Sequence, residues 1–163
     1  MKIPPQSKIV IGWDVRGWMS NEQAVAVLAL SGSSIEWLGY CERFKFPRSE
    51  PLSLCSLLTP AFSSHILTSV MDCTEIVVAI DAPLAFSSGF CALLNGEAHQ
   101  NSPPGTEIDN PLAYRACERW VRDQFNKKPL SASFDKLGNN ASLAISLAIS
   151  LKKPMVSRRK LNK

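Results

Sequence analysis

Histidine occurs only twice in the 163 residues, at 65 and 99, far apart and with no other ligand type at metal-site spacing. That argues against a histidine zinc site and against a Ser-His-Asp triad. The five cysteines, at 41, 55, 73, 91 and 117, form no CxxC pair. An odd, scattered set points to reduced thiols and a cytoplasmic location. Neither GxxxxGK[ST] nor GxGxxG is present, which excludes the common glycine-rich phosphate cradles. No apolar run reaches the roughly 18 residues of a membrane span, and Met1–Lys8 has none of the apolar character of a secretory signal. No acidic residue follows Asp135.

What remains is ordinary for one soluble domain with a sizeable core: 45% hydrophobic and 20% charged residues. The net charge of +4 belongs to one end. Residues 152–163 hold Lys152, Lys153, Arg158, Arg159, Lys160 and Lys163, leaving 12 basic against 14 acidic residues elsewhere. The division is a domain over 1–151 and a basic tail over 152–163. The tail reads either as a solvated, disordered end or as a non-specific nucleic-acid contact.

Two apolar runs each end in an aspartate: Lys8-Ile9-Val10-Ile11-Gly12-Trp13-Asp14 and Glu75-Ile76-Val77-Val78-Ala79-Ile80-Asp81. Short β-branched runs bounded by Gly or Pro read as buried strands. Between them, Gln23–Leu30 and Ile35–Phe44 read as strands two and three, joined by the turn Ser31-Gly32-Ser33-Ser34, so the first three strands form an antiparallel meander. Leu52 to Val70 has helical spacing interrupted by Pro60, predicting two short helices or a kinked one, with Thr59 as a cap. Strand four follows this crossover and, as the most apolar strand, is expected to be central and parallel to strand one.

Residues 82–109 read as a long irregular loop beside the second aspartate. Asn110 and Pro111 predict a helix start, with Ala113, Ala116, Cys117, Trp120 and Val121 as the buried stripe and Tyr114, Arg115, Glu118, Arg119 and Arg122 opposite. Lys127-Lys128-Pro129 ends that helix. Residues 131–140 read as a loop and Ala141–Leu151 as a helix, with Ser142, Ser146 and Ser150 along one face.

A carboxylate at a strand end lies at the rim of a sheet, where α/β folds bind ligands. If strands one and four are neighbours, Asp14 and Asp81 converge and suit a divalent cation such as Mg²⁺, which accepts one or two carboxylates plus phosphate oxygens. The plainer alternative is that each aspartate caps a turn. Arg115, Glu118, Arg119 and Arg122 offer phosphate-binding guanidiniums, or equally a helix face of local ion pairs. Of the four tryptophans, Trp37 and Trp120 fit core positions, whereas Trp13 and Trp18, flanking Asp14, are candidate surface contacts.

Gly12-Trp13-Asp14-Val15-Arg16-Gly17-Trp18 with Gln23–Leu28, then Ile80-Asp81-Ala82-Pro83-Leu84, then Tyr114-Arg115-Ala116-Cys117-Glu118-Arg119 resemble three motifs of the domain of unknown function 429 family, predicted RNase H-like nucleases. The resemblance spans about residues 8 to 140. It implies an RNase H-like α/β fold, with antiparallel strands 1–3, strand 4 parallel to strand 1 and flanking helices. It further implies metal-dependent hydrolysis of nucleic-acid phosphodiesters, DNA or RNA, with Asp14 and Asp81 holding Mg²⁺ or Mn²⁺. In that scheme Glu118 is a further catalytic carboxylate, Arg115 and Arg119 neutralise phosphate, and Trp18 contacts substrate. The chain departs from the family after Asn140, where a fifth strand and another acid are expected, so the sheet is five-stranded or truncated to four. Two other classes stay open: an actin-like nucleotide-binding phosphotransferase, and a non-catalytic binding or scaffold protein.

Overall fold

The computed structural model describes residues 8–48, 50–73, 75–97, 102–133, 135 and 137–152. Three strands open the chain: β1 (Lys8–Asp14), β2 (Gln23–Ser31) and β3 (Ser34–Phe44). Two short helices, α1 (Leu54–Leu58) and α2 (Ser64–Met71), lead to β4 (Glu75–Asp81). Then come α3 (Ser88–Leu94), a 3₁₀ turn at Glu107–Asp109, α4 (Ala116–Phe125) and α5 (Leu137–Lys152). The sheet is mixed, in the order β3-β2-β1-β4, with β1 antiparallel to β2 and parallel to β4. This is an α/β fold with flanking helices.

Strand parity explains the layering. Ile9, Ile11 and Trp13 of β1 and Val25, Val27 and Ala29 of β2 point to one side and are sealed from water. Leu54, Leu57 and Leu58 of α1, Val70 of α2 and Leu143, Ala144 and Leu147 of α5 complete that core. The other side of the sheet has no covering layer among the described residues; Trp37, Tyr40 and Val77 there are exposed.

That one-sided covering corrects the expectation for strand four. β4 is parallel to β1 as predicted, but it is an edge strand, not a central one. Ile76, Val78 and Ile80 meet the core while Val77 and Ala79 look outward, so its uniformly apolar run does not signal burial on both faces.

The crossover does form two helices around Pro60. The Ser53 hydroxyl caps α1 by accepting from the Ser56 backbone N–H, and Thr59 closes its C-terminus. The stretch read as irregular contains α3, whose cap is the buried Ser87 hydroxyl accepting from Phe90 N–H. Helix α5 starts four residues earlier than predicted and takes in Gly138, Asn139 and Asn140. The basic tail, apart from the backbone of Lys152, lies outside the described residues, as does His99.

Helix α4 is the largest correction. It begins at Ala116, not Pro111, and its faces are reversed. Glu118 is buried, whereas Trp120 and Phe125 are exposed and stack edge to face at 6.0 Å. Arg115 serves as N-cap because the Glu118 carboxylate takes its backbone N–H, so burial follows the capping chemistry and not the apolar stripe. Asn126, in the left-handed region at φ 49°, stops the helix before Lys127.

Candidate functional site

Residues Asp14 and Asp81 are direct register partners across the parallel β1–β4 ladder. Adjacent strands lie about 4.8 Å apart, and paired residues point to the same side. Here that side is the uncovered one: Asp14 shares it with Gly12 and Val10, and Asp81 with Ala79 and Val77. The same row continues through Ala24 of β2 to Glu42 of β3, so a third carboxylate stands on the rim. Glu42 escaped the sequence reading because only the β2–β3 register places it there.

The neighbours of the pair differ. Arg16 Nη2 reaches Asp14 Oδ2 at 3.1 Å. Asp81 has no hydrogen-bond or ion-pair partner among the described residues. The loop carrying Arg16 is fixed from below by Gln23, which is fully buried. Its Oε1 accepts from Trp13 Nε1 and from the Arg16 backbone N–H, while its Nε2 donates to Gly17 O. From α5, Asn140 Nδ2 donates to Val15 O at 2.7 Å, and Trp18 Nε1 donates to Ser142 Oγ at 3.0 Å. Gly17 has φ +89°, and a Cβ there would collide with the Asn139 amide. The signal for Gln23 was present in the sequence: it shares the parity of Val25, Val27 and Ala29, the inward side of β2.

The tryptophan assignments reverse for three of four residues. Trp13 is in the core, Trp37 and Trp120 are exposed, and only Trp18, 42% exposed, is where the sequence suggested.

Glu118 does not join the aspartates. Its Oε1 accepts from Arg115 Nε at 2.9 Å and Nη2 at 2.6 Å, and its Oε2 accepts from Arg115 N–H at 2.6 Å. Both oxygens are thus committed to local structure. Among the described residues no three His, Cys, Asp or Glu side chains gather as a metal-ligating group. Arg119 is likewise turned to a backbone carbonyl, that of Tyr114, at 2.8 Å. Arg115 retains one link to the rim: Nη1 donates to Ala85 O, and the side chain borders a cleft of about 470 Å³ together with Asp81, Pro83 and Leu137.

Comparison of the chain with family models, with curated proteins and with solved structures finds no match. The five thiols form no disulfide, and no helix among the described residues is long and apolar enough to cross a membrane.

The donor chemistry at the rim is two carboxylates on neighbouring strands, open to solvent, beside a guanidinium across a small cleft. Mg²⁺ and Mn²⁺ suit such a set, since these ions keep several waters and take one or two protein carboxylates with substrate oxygens. Among the described residues no third carboxylate gathers with the pair, Glu118 being bonded to Arg115 and Glu42 standing two strands from Asp14.

Proposed function

We propose that this protein is a divalent-cation-dependent hydrolase of nucleic-acid phosphodiesters, with an RNase H-like fold and a single-ion site at Asp14 and Asp81. The register pairing of those two residues on the open side of the sheet carries the reading. Two like charges at neighbouring strand ends repel unless a cation lies between them, and this pair has one guanidinium, on Asp14 alone. Bound Mg²⁺ or Mn²⁺ would polarise a phosphate oxygen and lower the pKa of a water.

The chain's own residues supply the rest. Asp14 and Asp81, at the paired ends of β1 and β4, would hold the cation. Arg115, braced by Glu118, presents its remaining N–H groups toward the cleft beside Asp81, where a phosphate oxygen can be received in bidentate fashion. Trp18, held at the indole nitrogen by Ser142, offers a partly exposed ring beside the Asp14 loop for contact with a base or sugar.

The test is cleavage of labelled single-stranded, duplex and hybrid substrates with and without Mg²⁺ or Mn²⁺, with metal affinity measured by calorimetry. Metal-dependent cleavage lost together with metal binding in Asp14→Asn and Asp81→Asn supports the reading. Cleavage unchanged in both variants, or no metal affinity in the wild type, sinks it.

A further inference from the structure

Each aspartate of the rim has one guanidinium beside it, and the two are held in opposite ways. Arg115, which borders the Asp81 cleft, is fixed: both oxygens of the buried Glu118 carboxylate bond to that residue, and its Nη1 donates to Ala85 O. Arg16 is held to Asp14 by a single bond, Nη2 to Oδ2 at 3.1 Å, with 56% of the arginine side chain and 40% of the aspartate side chain exposed. Its backbone is anchored all the same. The Arg16 N–H and the Gly17 carbonyl bond to the fully buried Gln23, and α5 bonds Val15 O through Asn140 and the Trp18 indole through Ser142. Arg16 is thus a solvent-facing side chain on a fixed pivot.

An exposed ion pair with one hydrogen bond is weak, because water screens it and two long side chains lose freedom to hold it. A guanidinium forked onto two phosphate oxygens is held more strongly. Arg16 cannot make both contacts at once. Nor can Asp14 receive a divalent cation and keep the guanidinium, since two positive charges would then share one carboxylate. The pair therefore opposes two events together: it shields Asp14 from a cation, and it engages donors that a phosphate would use. Arg16 already stands at the carboxylate, on a loop that need not move to meet a phosphate arriving there.

We infer that Arg16 is an exchangeable latch on the site: it pairs with Asp14 until a divalent cation takes that carboxylate, and then turns to the phosphate of the phosphodiester substrate. The inference rests on the metal-site reading and deepens it to regulation. Cation and phosphodiester each favour the binding of the other through one side chain, by the same factor in both directions. Arg115 has no part in this exchange, because Glu118 keeps it in place with or without ligands.

The probe is a short fluorescein-labelled thymidine strand with phosphorothioate linkages, which resist hydrolysis. Its binding to the full chain is followed by anisotropy at low salt. Both side chains are substantially exposed, so substitutions there keep the fold. In EDTA, Asp14→Asn frees Arg16 and is expected to tighten binding by about three- to fivefold, the upper range for an exposed ion pair. Removing an acid favours an anion by itself, so the same change is repeated in Arg16→Gln. A gain that drops below about twofold there, near the limit of simple additivity, supports the inference. An equal gain in both backgrounds, or none in Asp14→Asn, overturns it. With Mg²⁺, the factor by which the cation tightens the strand is expected to be about threefold or more smaller in Arg16→Gln than in the wild type. Mg²⁺ that binds both proteins and tightens the strand equally in both overturns the latch and leaves the metal-site reading standing. A wild type with no Mg²⁺ affinity by calorimetry overturns that reading and the latch with it.

Discussion

The indole nitrogen of Trp13 donates to the side-chain oxygen of Gln23 at 3.1 Å, and neither side chain is more than 1% exposed. That bond belongs to a three-way junction in which Gln23 also holds the Arg16 N–H and the Gly17 carbonyl. Gln23→Leu keeps the volume and strands those groups. The expected loss is roughly 2–4 kcal/mol, the cost of leaving buried donors and acceptors unpaired. Urea denaturation followed by tryptophan fluorescence measures it.

Replacing Glu118 by alanine separates structure from chemistry. The substitution leaves Arg115 without its buried counter-charge and α4 without its capping carboxylate, so stability falls by roughly 2–4 kcal/mol. Mg²⁺ affinity stays at the wild-type value because Glu118 is not on the rim. Calorimetric titration below the shifted melting temperature checks the second half. A lost metal site would instead return Glu118 to the ligand set.

Arg16 sits on Asp14 at an exposed position and competes with any incoming cation. In Arg16→Gln that competition disappears, and metal affinity rises by up to about fivefold, the range expected for an exposed ion pair. Weaker metal binding in this variant would show that Arg16 serves the site by orienting Asp14.

The pair Glu107–Lys128, beside Tyr114, gives the molecule a readable pH dependence. The hydrogen bond from Lys128 holds the Glu107 carboxyl below its ordinary 4.5, and the same bond raises the Lys128 ammonium above 10.5. Stability from a depressed carboxyl is present above its unfolded value and is lost as pH falls through the folded one. Stability from a raised ammonium is present below its unfolded value and is lost as pH climbs through the folded one. The difference in melting temperature between wild type and Lys128→Met is therefore widest near neutrality. It closes below pH 4.5 and above pH 10.5.

The strands were legible because strand chemistry is local. β1 and β4 fall on the predicted boundaries, and β2 and β3 differ by one residue at an end. The side-by-side placement of Asp14 and Asp81 followed from connectivity, a meander and then a crossover. Burial was harder to read. An apolar run says that a strand can be covered on both sides, not that a layer exists to cover it, so β4 was placed in the centre. Helix α4 misled for a related reason: its Trp120 stripe satisfies helical periodicity, yet the chain buries Glu118, whose carboxylate is satisfied by Arg115. The start of α5 was hidden by Gly138-Asn139-Asn140, typical turn residues that here lie in its first turn, two of them facing the Gly17 loop.

One consequence follows from the outer ladder position of β4. Among the described residues no strand pairs with its outer edge, which makes it a template for strand addition, and seven residues with five apolar side chains are hazardous in that role. Two copies adding antiparallel about Val78 would set Glu75 of each, itself paired with Lys8 of β1, against Asp81 of the other, unpaired among the described residues, carboxylate facing carboxylate. Acidity removes that protection. Below the carboxylate range the gatekeepers become neutral, and the protein should pass from a dispersed solution to fibrillar stacks that a dye specific for cross-β order would report.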